Sequence, residues 1–493
     1  MKTSRIMTAI LSAALLSGCI TVGPDYHRPN IDVPDQWPGE STAAVPLQWW
    51  RGYHDPVLDA MVDEALVHNA DLALAVARVD EARADLGVVR ADQYPGVSAG
   101  FGASRTRVSE NTATFFPSIG TRYNDVIASF SASWEIDFWG KYRRATEAAR
   151  ADLLAAGFNR DAVRLTLIAE VSRGYFNLRS LDAQVAVTKQ TIATRLESLG
   201  LQRKRFEAGV SSDLELHQVE AEAAGAQALL PFLENQLARQ ETALSVLLGR
   251  SPRAIVGAPP ERGAAIEALS VPPAVPAGLP SELLERRPDL REAEQQLAAA
   301  NARIGVAKAA YFPSISLTGL LGGESTRLTN LLLPPSRIWQ VSGSAAQLVF
   351  DAGRTGSQVG AARARQRQAL SLYQSSIQHA FKDTLDALVA QRKARERLEA
   401  EGTRVAALQK ALELAQLRYD SGESSLLDVL DAERQLLGAQ LDRVEAQRAQ
   451  LAATADLFQA LGGGWEGGRS QTAQAAEAAV ATRAAQIGDS VKK

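Results

Sequence analysis

Arg418-Tyr419-Asp420-Ser421-Gly422-Glu423-Ser424-Ser425-Leu426-Leu427-Asp428-Val429-Leu430-Asp431 decides how this chain is read. A long helical pattern runs into it, Ser421-Gly422 breaks that pattern, and a second one leaves from Ser425. The same phrase stands earlier as Arg205-Phe206-Glu207-Ala208-Gly209-Val210-Ser211-Ser212-Asp213-Leu214-Glu215-Leu216. Gly209 and Gly422 lie 213 positions apart, as do Ser212 and Ser425, Glu220 and Glu433, and Leu248-Gly249 and Leu461-Gly462. A constant offset with matching residue types is an internal duplication. Two copies of one long helical hairpin therefore dominate the chain.

Outward from the turns, Gly140 to Phe206 and Gly353 to Tyr419 are each 67 positions without a proline. At ~1.5 Å per residue either stretch reaches about 100 Å if unbroken. Leu178, Leu181, Val185, Ile192 and Leu199 keep 3–4 spacing, as do Leu398, Val405, Leu408 and Leu412, which suits coiled-coil packing. Abundant alanine lets neighbouring helices approach closely. The returning helices are expected over about Ser212–Leu248 and Ser425–Leu461. Another helix precedes the strands in each copy; in the first it starts at Asp55-Pro56, in N-cap and N1 order, with a break at Asn69, and runs towards Gln93. These segments match at an offset of 218 (Asp71-Leu72 with Asp289-Leu290, Gly87 with Gly305), and both end at a proline, Pro95 and Pro313.

Past each proline the period changes from 3.6 to two. Val126, Ala128, Phe130, Ala132, Trp134, Ile136 and Phe138 share one face, while Ile127, Ser129, Ser131, Ser133, Glu135 and Asp137 share the other. Val97, Ala99, Phe101 and Ala103 alternate in the same way, and the second copy repeats the pattern at Ile315, Leu317, Gly319 and Leu321 and at Trp339, Val341, Gly343 and Ala345. Segments of ~10 residues with one apolar and one small-polar face fit a transmembrane barrel with a wet interior. Two ordinary hairpins packed on helices are the alternative. Trp134, Phe138 and Trp139 suit either an interfacial girdle or packing at the strand–helix joint. Stretches 109–124 and 322–337 would be outward loops. Four strands cannot close, and open edges are not tolerated in hydrocarbon. A membrane role thus demands that several chains share one barrel.

The chain opens with Lys2, Arg5 and an apolar run Ile6–Leu16, too short to span a membrane as a mature helix, ending in Leu16-Ser17-Gly18-Cys19. Small residues before the only cysteine match a lipoprotein processing site, with residues 1–18 a signal and Cys19 acylated; an ordinary secretory signal is the competing reading. One cysteine excludes an intrachain disulfide and any cysteine metal cluster. Residues 19–54, with Trp49-Trp50 and several prolines, read as an extended tether along a larger body. Residues 251–280 read as a Pro-rich linker between the repeats 55–250 and 281–465, and 466–493 as a disordered tail. A net charge of −3 and a pI near 6.1 argue against nucleic-acid binding.

The chain resembles the outer membrane factors of the TolC family, in their OprM/NodT-like lipoprotein branch. The residues carrying the resemblance are Gly23-Pro24-Asp25-Tyr26, Trp49-Trp50 with Asp55-Pro56, Trp134-Glu135-Ile136-Asp137, Glu170-Val171 with Tyr175-Phe176, Leu248-Gly249-Arg250, Leu279 to Leu284 with Arg287-Pro288-Asp289, and Leu461-Gly462-Gly463-Gly464-Trp465. It implies a homotrimer in which each chain gives four strands to a 12-stranded β-barrel, continued by a periplasmic α-helical barrel. It also implies an outer-membrane, lipid-anchored channel for passive export, partnered by a periplasmic adaptor and an inner-membrane pump of the RND type, with no cofactor. The resemblance further implies that Asp428 and Asp431, i,i+3 on one face, form the acidic constriction of the periplasmic mouth. A latch would join an acid of the first turn, Glu215, to Tyr419 and an arginine of the second, but Ser424 occupies the arginine's place. Arg205, Gly209, Ser212, Arg418, Gly422 and Ser425 resemble the adaptor-docking tips.

Catalysis has little to stand on. The five histidines are scattered, His217 with Glu220 is a lone helical pair, and no nucleophile motif, P-loop or dinucleotide loop occurs. Metal-ion efflux, type I protein secretion and a poreless lipid-anchored coiled-coil scaffold are the other readings. The last predicts no membrane β-barrel, against the strand alternation.

Overall fold

The computed structural model describes residues 21–34, 46–111, 121–272 and 280–463. Cys19 with the signal, residues 112–120 of the first expected outward loop, Trp465 and the tail lie outside the described residues. The elements in order are α1 (Pro56–His68), α2 (Ala70–Ala91), β1 (Gly96–Arg107), β2 (Arg122–Ile136), α3 (Lys141–Glu207), α4 (Asp213–Leu247), α5 (Pro252–Gly257), α6 (Leu283–Arg286), α7 (Pro288–Ala309), β3 (Ser314–Ser325), β4 (Arg337–Ala346), α8 (Arg354–Asp420) and α9 (Leu426–Ala460). The duplication keeps most lengths: α3 and α8 have 67 residues each, α4 and α9 have 35, and β1 and β3 have 12, while β2 has 15 against 10 in β4. The break at Asn69 is real. Its side-chain oxygen caps α2 through Asp71 and Leu72 N–H at 2.9 and 3.0 Å, while its amide donates to Leu247 O.

The chain divides into two compact units, each drawing on both repeats. One comprises residues up to 30, 78–156 and 292–374. It holds a four-stranded antiparallel sheet in the order β1-β2-β3-β4. The register pairs Phe101 with Ala128, Phe130 with Leu321 and Leu321 with Trp339, so these residues share one face. That face is exposed in the single chain, with Val97, Phe101, Phe130, Trp339 and Val341 all bare. On the other face hydroxyls pair across the strands: Ser98 with Ser131 at 2.8 Å, Ser316 with Ser344 at 2.9 Å and Thr318 with Ser342 at 2.8 Å. β1 and β4 each leave one edge unpaired within the chain.

Trp134 and Trp139 settle in favour of joint packing. Trp134 Nε1 donates to Gln93 O at 3.0 Å; Trp139 Nε1 donates to Pro313 O at 2.8 Å and its ring stacks on Phe312. Residues 21–28 lie as a strap on this unit. Val22 N–H donates to Trp139 O, Arg144 pairs with Asp25 at 2.6 Å, and Arg28 grips Glu294 through two bonds of 2.8 and 2.6 Å. The expected alanine contact is present where Ala148 and Ala151 meet Ala299 and Ala302.

The other unit comprises 31–77, 157–291 and 375 onward, and its core corrects two expectations. The tether does not stay extended and external to residue 54. Trp49–Tyr53 turns into a 3₁₀ helix whose Trp49, Trp50 and Tyr53 are 1, 2 and 0% exposed. Trp49 stacks on Phe458 and Tyr53 packs on Phe176 while donating to Leu451 O at 3.0 Å. Burying three large rings outweighs the cost of ordering a short polar turn. Nor is the described part of 251–280 a free linker. Ser251 caps α5, Ile266 and Leu269 are buried, and Asp55 accepts from Ala264 N–H and from Tyr175 Oη. Among the described residues no helix is long and apolar enough to cross a membrane.

Candidate functional site

The two hairpin turns of the second unit carry the residues singled out by sequence, and the chain builds them to one plan. α3 ends with Gly209 N–H on Phe206 O and Val210 N–H on Arg205 O, at 2.9 and 3.0 Å. α8 ends with Gly422 N–H on Tyr419 O and Glu423 N–H on Arg418 O, at 3.0 and 2.9 Å. This paired closure needs a left-handed residue, supplied by Gly209 at φ +73 and Gly422 at φ +74. Ser212 and Ser425 then begin α4 and α9 at φ −82, ψ 156 and φ −81, ψ 157. An added Cβ at either glycine meets nothing within 4 Å. Backbone geometry, not crowding, explains the glycines.

Within the chain the acids of the two turns have different partners. Glu215 turns back on its own helix start, accepting from Ser212 N–H and Ser211 Oγ at 3.0 Å each, while Glu215 N–H donates to Ser212 Oγ at 3.2 Å. The Ser212 N–H and the two serine hydroxyls hold its carboxyl below the usual range. Asp428, at the equivalent place 213 positions on, accepts from Ser425 N–H and Oγ at 3.2 Å. Asp431 instead takes Arg434 at 3.2 Å and Gln435 at 2.6 Å. Both aspartates remain exposed on α9, with Val429 and Leu430 buried between them. Ser-x-x-Glu is a capping-box signature legible in sequence, and Ser-x-x-Asp is its shorter analogue.

Glu215 is engaged by Ser211 and Ser212 rather than by Tyr419, and the cation reaching Tyr419 comes from the first turn. Arg205 Nη1 donates to Tyr419 Oη at 3.3 Å and its guanidinium sits 5.7 Å from the ring centroid. The Ser424 hydroxyl, in the arginine's place, is shielded and has no partner among the described residues. Tyr419 also joins Leu199, Val219, Leu426 and Leu430 in a small apolar cluster. One layer above, Arg195 Nη1 donates to Glu222 O at 2.7 Å, and Glu222 faces Arg434 at 3.8 Å. Burial, with Glu222 adding to it, pushes the Glu433 carboxyl up against the opposing pull of Arg195.

At the tips, Val210 and Leu214 are 74 and 67% exposed and Leu427 is 54% exposed. These are branched apolar side chains left bare beside the two turns. The sequence carried this signal as apolar residues inside the turn phrase. Among the described residues no cluster of acids and histidines could hold a metal ion.

Comparison with known proteins follows from this geometry. The profile of a family described as "Outer membrane efflux protein" matches residues 61–250 and 279–463. The toluene efflux pump outer membrane protein TtgC of Pseudomonas putida is 34% identical over 483 residues, 96% of this chain and 98% of its own. The cation efflux system protein CusC of Escherichia coli K12 is also 34% identical, over 92% of this chain and 98% of its own. Among solved structures, the CmeC outer membrane channel of Campylobacter jejuni superposes with a TM-score of 0.88 at 26% identity, covering 93% of this chain and 98% of that one.

Proposed function

Because the chain belongs to the outer membrane efflux protein family, we propose that it is the outer-membrane exit duct of a tripartite efflux system. Three copies, each giving four strands, make a closed channel for small molecules such as drugs. The single observation that carries this is the sheet. It has an apolar face bare of cover, a face of paired hydroxyls, and an open edge at β1 and at β4. Lipid suits the first face, water the second, and only neighbouring copies satisfy the edges.

The duct does no chemistry; the energy comes from an inner-membrane pump of the RND type, and a periplasmic adaptor docks at the turns around Arg205, Gly209, Ser212, Arg418, Gly422 and Ser425. Exposed Val210, Leu214 and Leu427 support that docking. Asp428 and Asp431, repeated three times around the axis, form the cation-attracting constriction of the closed mouth. Cys19 bears the lipid anchor in the outer membrane. The outer membrane protein of a toluene efflux pump and a protein of a cation efflux system are both 34% identical to this chain, which supports a permissive lumen whose cargo is chosen by the pump.

The test is reconstitution of detergent-purified protein into planar bilayers. A trimer is expected, nearly closed as isolated, whose conductance and cation preference change in Asp428→Asn/Asp431→Asn. A monomer, or a trimer electrically silent in both forms, would overturn the proposal.

A further inference from the structure

The helix-distal end of the sheet carries a charge pattern that export does not use. Near the helices, cations of this unit are paired with acids: Lys141 with Glu135 at 3.0 Å, Arg143 with Asp137 at 3.3 Å, and Arg144 with Asp25 at 2.6 Å. At the far end Arg105, Arg107, Arg122, Arg327 and Arg337 are all exposed, and none has a carboxylate at ion-pair distance among the described residues.

The register shows on which face four of them, Arg105, Arg107, Arg122 and Arg337, stand. Arg107 stands directly opposite Arg122, Arg105 opposite Asn124, and Arg337 opposite Gly323, all in line with Ala103–Val126 and Leu321–Trp339 on the apolar face. Arg337 is one same-face step, about 7 Å, beyond Trp339. The nearby strand acids Asp125 and Glu324 pair in register with Ser104 and Ile127, on the opposite, hydroxyl face. The sheet has thus sorted its charges by side, arginines to the apolar side and carboxylates to the wet one. Like charges placed directly across a strand pair repel, so the exposed Arg107–Arg122 pair, without a carboxylate among the described residues, favours an anion placed between the two guanidiniums. Beside it lies a shallow, open hollow of about 580 Å³ flanked by Arg105 and Arg327, with Ala103, Val126 and Leu328 as its apolar lining and Ser104, Asn124, Thr326 and Thr329 as its polar one.

We propose that this rim binds a membrane-embedded phosphorylated glycolipid, the lipid A of the outer leaflet. Arg107 and Arg122 clamp one phosphate between them, and Arg105 and Arg327 hold a headgroup over the mixed polar and apolar hollow. The inference rests on the outer-membrane reading above. Guanidinium forks match phosphate oxygens in pairs. An anion held at the edge of an apolar band, one step beyond an indole, sits at the depth of a lipid headgroup rather than of a free ion.

The full trimer is reconstituted into phosphatidylcholine nanodiscs with diphosphoryl lipid A or with its dephosphorylated form, and retained lipid is read by native mass spectrometry. Wild type is expected to keep the diphosphoryl form and release the other. Arg107→Gln/Arg122→Gln should weaken retention roughly 30-fold, Arg105→Gln/Arg327→Gln should weaken it separately, and Arg107→Lys/Arg122→Lys should restore part of it. Equal retention by wild type and both glutamine variants would overturn the proposal. So would indifference to the phosphates, or displacement by millimolar inorganic phosphate. Conductance of the same preparations separates the two readings. A conducting trimer without lipid discrimination sinks only this inference, and a silent monomer sinks both.

Discussion

Replacing Arg205 by alanine tests how the proposed periplasmic mouth is held shut. In each chain Arg205 ties the first turn to the second by one long hydrogen bond, 3.3 Å to Tyr419 Oη, and one cation–π contact at 5.7 Å. Both groups are half-buried, so the tie contributes about 0.5–1 kcal/mol rather than the larger values of dry pairs. Three ties released together amount to about 1.5–3 kcal/mol, or roughly 10- to 150-fold in the ratio of open to closed mouths. Arg205→Ala is therefore expected to raise open probability in planar bilayers by that factor, and to make cells sensitive to a large antibiotic normally excluded. Arg205→Lys, which keeps charge but loses the planar fork, should fall between. Glu215→Ala is the decisive control, because Glu215 is engaged in capping its own helix. It should leave the mouth closed. Wild-type gating in Arg205→Ala together with an open Glu215→Ala channel would refute the reasoning and return the latch to the acid.

Two further outcomes follow from the same unit. Gly422→Ala meets open space but must hold φ +74, a strain of about 1–2 kcal/mol; trimer abundance by immunoblot should be unchanged while drug resistance is lost, and retained resistance would remove that turn from the docking surface. Glu433 has its carboxyl raised by burial and by Glu222. Its charged form is therefore the one the fold disfavours, so the penalty is present at neutral pH and fades as pH falls through the raised value towards the ordinary carboxylate range. Glu433→Gln should melt higher than wild type at pH 7, with the gap closing by about pH 4; a gap that grows on acidification would contradict this sign.

Much of the architecture was legible because it is local. Helix and strand periods, the proline that ends each pre-strand helix, and the glycine-serine turn are properties of neighbouring residues, so a repeated phrase produced repeated elements of 67 and 35 residues. Even the need for partner copies could be read, since four alternating segments leave two edges whatever they pack against. Trp49 and Trp50 misled because a proline-rich approach looks like a tether until its rings find Phe458, some 400 positions away.

What the sequence by itself determined is the period and order of the elements, and hence the kind of wall each can build. Only the tertiary structure decided which turn supplies the cation at Tyr419, which ring covers Trp49, and that arginines and carboxylates of different strands part to opposite faces of one sheet. The reason is range. Periodicity acts over one or two turns of backbone, whereas Arg205 and Tyr419 meet across 214 positions, a contact fixed by how whole helices pack and not by any residue beside them.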